Sequence, residues 1–119
     1  MRISITKEYT FEAAHSLPHH NGKCKNLHGH SYQLFVTVTG PIKTEGPGEG
    51  MVMDFGELDP IVKTHIIDVF DHRFLNDILP FTTTVENIAA YIFTTLTEKG
   101  LPISEIKLYE TKKCFATVT

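Results

Sequence analysis

Two stretches of this chain alternate between apolar and other residues, and in both the apolar face runs out into histidine. In residues 3 to 15, Ile3, Ile5, Tyr9, Phe11 and Ala13 share one parity, broken by Lys7, and His15 falls on the same parity. From about His28 to Thr39 the even positions are His28, His30, Tyr32, Leu34, Val36 and Val38. Side chains of a strand point alternately to opposite faces, so each stretch reads as a strand with one covered face. Pro18 and Asn21-Gly22 mark residues 16 to 27 as the loop between them. A chain built this way must place histidines at the end of a buried sheet face.

The rest of the pattern supplies the cover. Gly40 to Gly50 is a loop rich in Gly and Pro. Asp54-x-x-Glu57 reads as a variant capping box opening a helix, with Phe55, Leu58, Ile61, Val62, His65, Ile66, Val69 and Phe70 at three-and-four spacing. Thr83-x-x-Glu86 predicts the start of a second helix, whose stripe is Val85, Ile88, Ala89, Ile92, Phe93 and Leu96. Lys99-Gly100-Leu101-Pro102 is its stop signal. Two strands follow, about Ser104 to Thr111 and Cys114 to Val118, with Lys112-Lys113 as the turn. The order strand, strand, helix, helix, strand, strand predicts an α+β fold: a four-stranded antiparallel sheet with both helices on one face. With 119 residues, a single domain over residues 1–119 is expected. The two open edges of so short a sheet need covering, so association with further copies is expected.

Composition narrows the function. A net charge of −3 and no basic stripe argue against a nucleic-acid surface. No apolar run approaches the roughly 20 residues of a membrane helix, and Met1 to Thr10 carries charges where a signal peptide needs apolar residues. With two cysteines and no export signal, a reducing cytoplasmic setting is expected. The excess is in histidine: seven residues, five of them between positions 15 and 30.

Four constellations carry chemistry. His28 and His30, about 7 Å apart on one strand face, and His15 at the end of the neighbouring strand suit Zn²⁺, with a fourth position open for water or substrate. His19 and His20 fall in the loop and read as exposed or close to substrate. Cys24, flanked by Lys23 and Lys25, reads either as a fourth ligand closing a structural site or as a nucleophile or base beside the metal. Cys114 reads as a small buried hydrophobe. Asp71-His72, after the first helix, is an acid–base pair, although adjacent side chains do not normally face each other. Glu110 shares parity with Ile106 and Leu108, so a carboxylate continues an apolar face, where it needs a partner. Such a carboxylate can take two parallel hydrogen bonds from an amidine-like edge.

Phe11-Glu12-Ala13-Ala14-His15 and Cys24-Lys25-Asn26-Leu27-His28-Gly29-His30-Ser31-Tyr32 resemble the 6-pyruvoyltetrahydropterin synthase family, in particular its bacterial 6-carboxy-5,6,7,8-tetrahydropterin synthase branch. The resemblance continues through Val52 to Leu58, Asp71 to Asn76, Thr84 to Asn87 and Tyr109 to Thr111. One departure is that Pro80-Phe81-Thr82-Thr83-Thr84 stands where the family often shows Asn-Pro-Thr. The resemblance implies a tunnelling fold assembled into trimers that stack as hexamers. It implies zinc on His15, His28 and His30, and Cys24 as catalytic thiol. Asp71 and His72 of a neighbouring subunit would complete its proton relay, and Glu110 would anchor a pterin. The implied reaction turns 7,8-dihydroneopterin triphosphate into 6-carboxytetrahydropterin, acetaldehyde and triphosphate, for queuosine biosynthesis. The alternatives are the sister reaction, which yields pyruvoyltetrahydropterin without losing acetaldehyde, and a zinc-stabilised binding module without turnover.

Overall fold

The computed structural model describes all 119 residues, Met1 to Thr119. Strands β1 (Ser4–His15) and β2 (His28–Thr39) pair antiparallel along their whole length, from Ser4 opposite Thr39 to His15 opposite His28. This register sets each odd residue of β1 against an even residue of β2. Phe11 meets Tyr32 and Ala13 meets His30, so both apolar sets share one face. Helix α1 (Phe55–Val62), a π-helical turn (Lys63–Ile67) and a short α2 (Asp68–Phe70) follow. Then come β3 (Arg73–Phe74), α3 (Leu75–Ile78), α4 (Val85–Glu98), β4 (Ile103–Tyr109) and β5 (Phe115–Val118). The sheet order is β3-β1-β2-β4-β5. The sheet therefore has five strands rather than four, because Arg73 and Phe74 add a two-residue parallel strand to the outer edge of β1. Alternation could not reveal a strand of two residues.

The helices cover one face of the sheet. Leu58, Val62, Ile66 and Phe70 are all fully buried, at strict four-residue steps. In a regular α-helix such steps drift by about 40° each. The π turn at Lys63–Ile67 slows that rotation and holds the stripe against the sheet. Ile88, Ala89, Ile92 and Leu96 of α4 pack over β4 and β5. Gly100, at φ +94°, ends α4 in a Schellman turn: Leu101 N–H reaches Leu96 O at 3.2 Å and Gly100 N–H reaches Thr97 O at 3.0 Å. No helix is long and apolar enough to cross a membrane.

Two expectations change. The cap of α4 is Thr84, which accepts from Asn87 N–H at 3.2 Å; Thr83 is instead buried and its hydroxyl is turned to His15. Cys114 is exposed, because it lies in the turn before β5, where its carbonyl accepts from Glu110 N–H at 3.0 Å.

Candidate metal centre and the adjoining cleft

The register that builds the core also builds the site. Opposition of His15 to His28, and of Ala13 to His30, gathers three imidazoles at the end of the covered face. One nitrogen of each lies within 4.8 Å of the others, close enough to hold a metal ion. His15 is completely buried. Its Nδ1 lies 2.7 Å from the Thr83 carbonyl, and His28 Nδ1 lies 2.7 Å from the Asn26 carbonyl. A carbonyl only accepts, so both Nδ1 atoms donate a proton, and in its neutral form each ring keeps its lone pair on Nε2.

Glu110 completes the cluster. Its Oε1 is 3.4 Å from His15 Nε2 and 3.3 Å from His30 Nε2. When the imidazoles are protonated, contact with the His15 ring and the charges of the three histidines outweigh burial and hold this carboxyl below its usual range. Burial leads in lowering the basicity of His30, helped by His15 and His28 and opposed by Glu110. His15 Nε2 is buried without a hydrogen-bond partner, as is the Tyr32 hydroxyl, whose ionisation burial and Glu110 push upward. A buried lone pair facing a carboxylate is repulsive unless a cation stands between them. The donor set, nitrogens with one anionic oxygen beside them, therefore fits a bound cation such as Zn²⁺.

Asp71 and His72 do face each other, contrary to the rule for neighbours in sequence. His72 has φ +59°, rare for a residue with a side chain, and this turn brings its Nδ1 to 3.0 Å from Asp71 Oδ2. Glu12 anchors the turn: its N–H donates to Asp71 Oδ1 at 2.9 Å, and its carbonyl accepts from His72 N–H at 2.6 Å. The Glu12 N–H, then the His72 contact, hold the Asp71 carboxyl below its usual range. The His72 side chain is exposed and lines a cleft of ≈ 470 Å³ with Glu12, Gly29, His30, Ser31 and Arg73. Cys24 is half-buried in the short turn Lys23–Lys25, and neither the histidine group nor this cleft includes it. His19 and His20 are exposed, and His20 Nδ1 accepts from Gly22 N–H at 2.8 Å. The sequence marks Thr83 only as a helix start and Asn76 only within a family motif, not as supports of His15; nothing in a run of threonines marks the one that turns inward.

The class this defines is an α+β domain with a mixed sheet covered on one face by helices, whose three histidines at the β1–β2 end lie close enough to hold a metal ion. The family model described as 6-pyruvoyl tetrahydropterin synthase matches residues 4–119, and the chain belongs to that family. It is 49% identical over 114 residues to the 6-carboxy-5,6,7,8-tetrahydropterin synthase of Synechocystis sp., covering 90% of this chain and 85% of the relative. It is 40% identical over 135 residues to the Haemophilus influenzae protein of the same name, covering 95% and 96%. The solved 6-pyruvoyl tetrahydropterin synthase of Caenorhabditis elegans superimposes with a TM-score of 0.88 at 28% identity, over 100% of this chain and 96% of that one. The fold is the tunnelling fold, and the protein is a pterin synthase, an enzyme of a lyase-type family.

Proposed function

We propose that the protein converts 7,8-dihydroneopterin triphosphate and water to 6-carboxy-5,6,7,8-tetrahydropterin, acetaldehyde and triphosphate, with Zn²⁺ held by His15, His28 and His30. The observation that carries this reading is the convergence of the three imidazoles, with Nδ1 of His15 and of His28 committed to backbone carbonyls. The two bacterial relatives that bear the product's name support the choice of reaction.

His15, His28 and His30 would hold the Zn²⁺, which would supply Lewis acidity toward the substrate's side chain. Glu110, kept ionised, accepts the 2-amino and N3–H edge of the pterin and orients the ring beside the histidines. Cys24 takes a proton from the side chain as thiolate, and His72, held by Asp71, exchanges protons with it. Electrons of the side chain pass into the ring and reduce it. The triphosphate leaves, water adds to the side-chain carbonyl next to the ring, and the carbon–carbon bond beyond it breaks, leaving the carboxyl and releasing acetaldehyde.

Residues 1–119 act as one tunnelling-fold domain, and the working form is a homohexamer, a dimer of trimers, in which Asp71 and His72 serve the Cys24 of a neighbouring copy. The short β3 and β5 at the sheet edges support such an assembly. The setting is the cytoplasm and the product serves queuosine (7-deazapurine) biosynthesis.

The test is mass spectrometry of the products made by zinc-loaded protein from 7,8-dihydroneopterin triphosphate, with acetaldehyde trapped. Carboxytetrahydropterin with acetaldehyde is expected. Pyruvoyltetrahydropterin without acetaldehyde would move the protein to the activity named for the nematode structure. Unchanged substrate would leave a zinc-stabilised binding module.

A further inference from the structure

One hydrogen-bonded chain behind the histidine centre has a direction that can be read from its donors and acceptors. Asn76 on α3 holds the main chain of Ser16, the residue after His15: Ser16 N–H donates to Asn76 Oδ1 at 3.0 Å and Asn76 Nδ2 donates to Ser16 O at 2.8 Å. This pair of hydrogen bonds to the main chain of one residue settles which end of the Asn76 amide is oxygen. That same Oδ1 lies 3.3 Å from the Thr83 hydroxyl. An amide oxygen only accepts, so the hydroxyl must donate to it and turn a lone pair toward His15 Nδ1, 3.1 Å away. The Thr83 carbonyl, at 2.7 Å from the same nitrogen, is also only an acceptor. Two acceptors on one residue thus meet His15 Nδ1, and both require its proton there. The His15 end of this chain is sealed from water, since Thr83 and His15 are each at 0% exposure, while Asn76 and Ser16 are half-buried.

We propose that Asn76 and Thr83 form a tautomer lock on His15. The pair holds the proton on Nδ1, leaves the Nε2 lone pair aimed at the metal position, and sets metal affinity without touching the metal. Asn76 acts through Thr83 and through the main chain of Ser16, and Thr83 acts on the ring directly. Both are positioning residues. Partners of this kind fix ring orientation and raise ligand basicity, and their loss typically weakens metal binding by about 10–100-fold. The inference rests on the assignment of His15, His28 and His30 as the metal site.

The test measures Zn²⁺ dissociation constants by chelator competition on the assembled protein. Wild type is compared with Thr83→Val, Thr83→Ser and Asn76→Ala, with thermal unfolding recorded for each metal-free form. Thr83→Val, which keeps the shape and the carbonyl but not the hydroxyl, should weaken Zn²⁺ about 10-fold, and Asn76→Ala by at least as much. Thr83→Ser should restore wild-type affinity to within about threefold, given the retained hydroxyl. Long-range ¹H–¹⁵N correlation on metal-free wild type should find the His15 proton on Nδ1; this reading needs no variant to fold. A proton on Nε2, or folded Thr83→Val and Asn76→Ala proteins that hold Zn²⁺ as wild type does, would overturn the lock. A wild type that binds no Zn²⁺ would remove the metal assignment and the lock together, and shows in the wild-type measurement alone.

Discussion

The covered face of the sheet carries polar groups at two places, and they are built in opposite ways. Near the middle, Lys7 interrupts the apolar parity of β1. Its Nζ donates to Asp59 Oδ2 at 2.7 Å, and the Tyr9 hydroxyl donates to Asp59 Oδ1 at 2.5 Å. Both carboxylate oxygens are used, and every member has a partner. Hydrogen bonds from Lys7 and then Tyr9 hold the Asp59 carboxyl below its usual range, while burial and Asp59 push the Tyr9 hydroxyl upward. At the end of the same face, His15, His28 and His30 converge beside Glu110, and His15 Nε2 is buried with no hydrogen-bond partner. The first group is closed and ties a helix to a strand. The second is a set of acceptors that a bound cation would complete. Residue type does not separate the two; a completed or uncompleted set of donors does.

The strongest way to break this comparison is to remove a member of the open group. His28→Ala should leave little metal after dialysis and reduce turnover to background, read by metal analysis and product mass spectrometry. Full metal retention would show that the convergence does not form the site. Cys24→Ala should lower turnover by about 10²–10⁴-fold, as loss of a proton-transferring group does, with metal content unchanged. A metal-free Cys24→Ala protein would instead place Cys24 among the ligands. Glu110→Gln should lower kcat/KM by about 10–100-fold, the range for a hydrogen bond to a charged group, again with metal retained. A fall in metal content would put the carboxylate in the metal set instead.

The closed group should give smaller effects, and only on stability. Tyr9→Phe should lower Tm by about 4 °C or less and leave turnover unchanged. Lys7→Met tests the acid limb. A carboxyl whose pKa is depressed in the folded state stabilises the protein above the ordinary carboxylate range, and that contribution is lost as pH falls through the depressed value. Removing Lys7, the leading cause, should flatten the decline in urea midpoint below about pH 4. An unchanged slope would show that Asp59 does not set it.

Much of this was legible because strand periodicity is short and unambiguous. Parity sets His15, His28 and His30 on the covered face and Glu110 on the apolar face of its own strand, and folding brings the four together. Parity also flagged Lys7 as a break, but it could not supply Asp59, which arrives from a helix 52 residues away. Helix ends were read less well. Three consecutive threonines all suit a cap, and only packing decides that Thr84 caps while Thr83 turns to His15. The pairing of Asp71 with His72 depends on a left-handed backbone at His72, which no residue pattern signals when the residue is not glycine.

The sequence by itself determined the alternating strands, the covering helices, the family motifs and the face on which the histidines fall. These follow from local periodicity and residue chemistry. Tertiary structure alone decided which nitrogen of His15 carries the proton, what stands opposite Glu110, that β3 extends the sheet, and that one polar cluster is complete while the other is open. The reason is physical: a hydrogen bond's direction depends on both partners, and here the partners come from segments brought together only by folding.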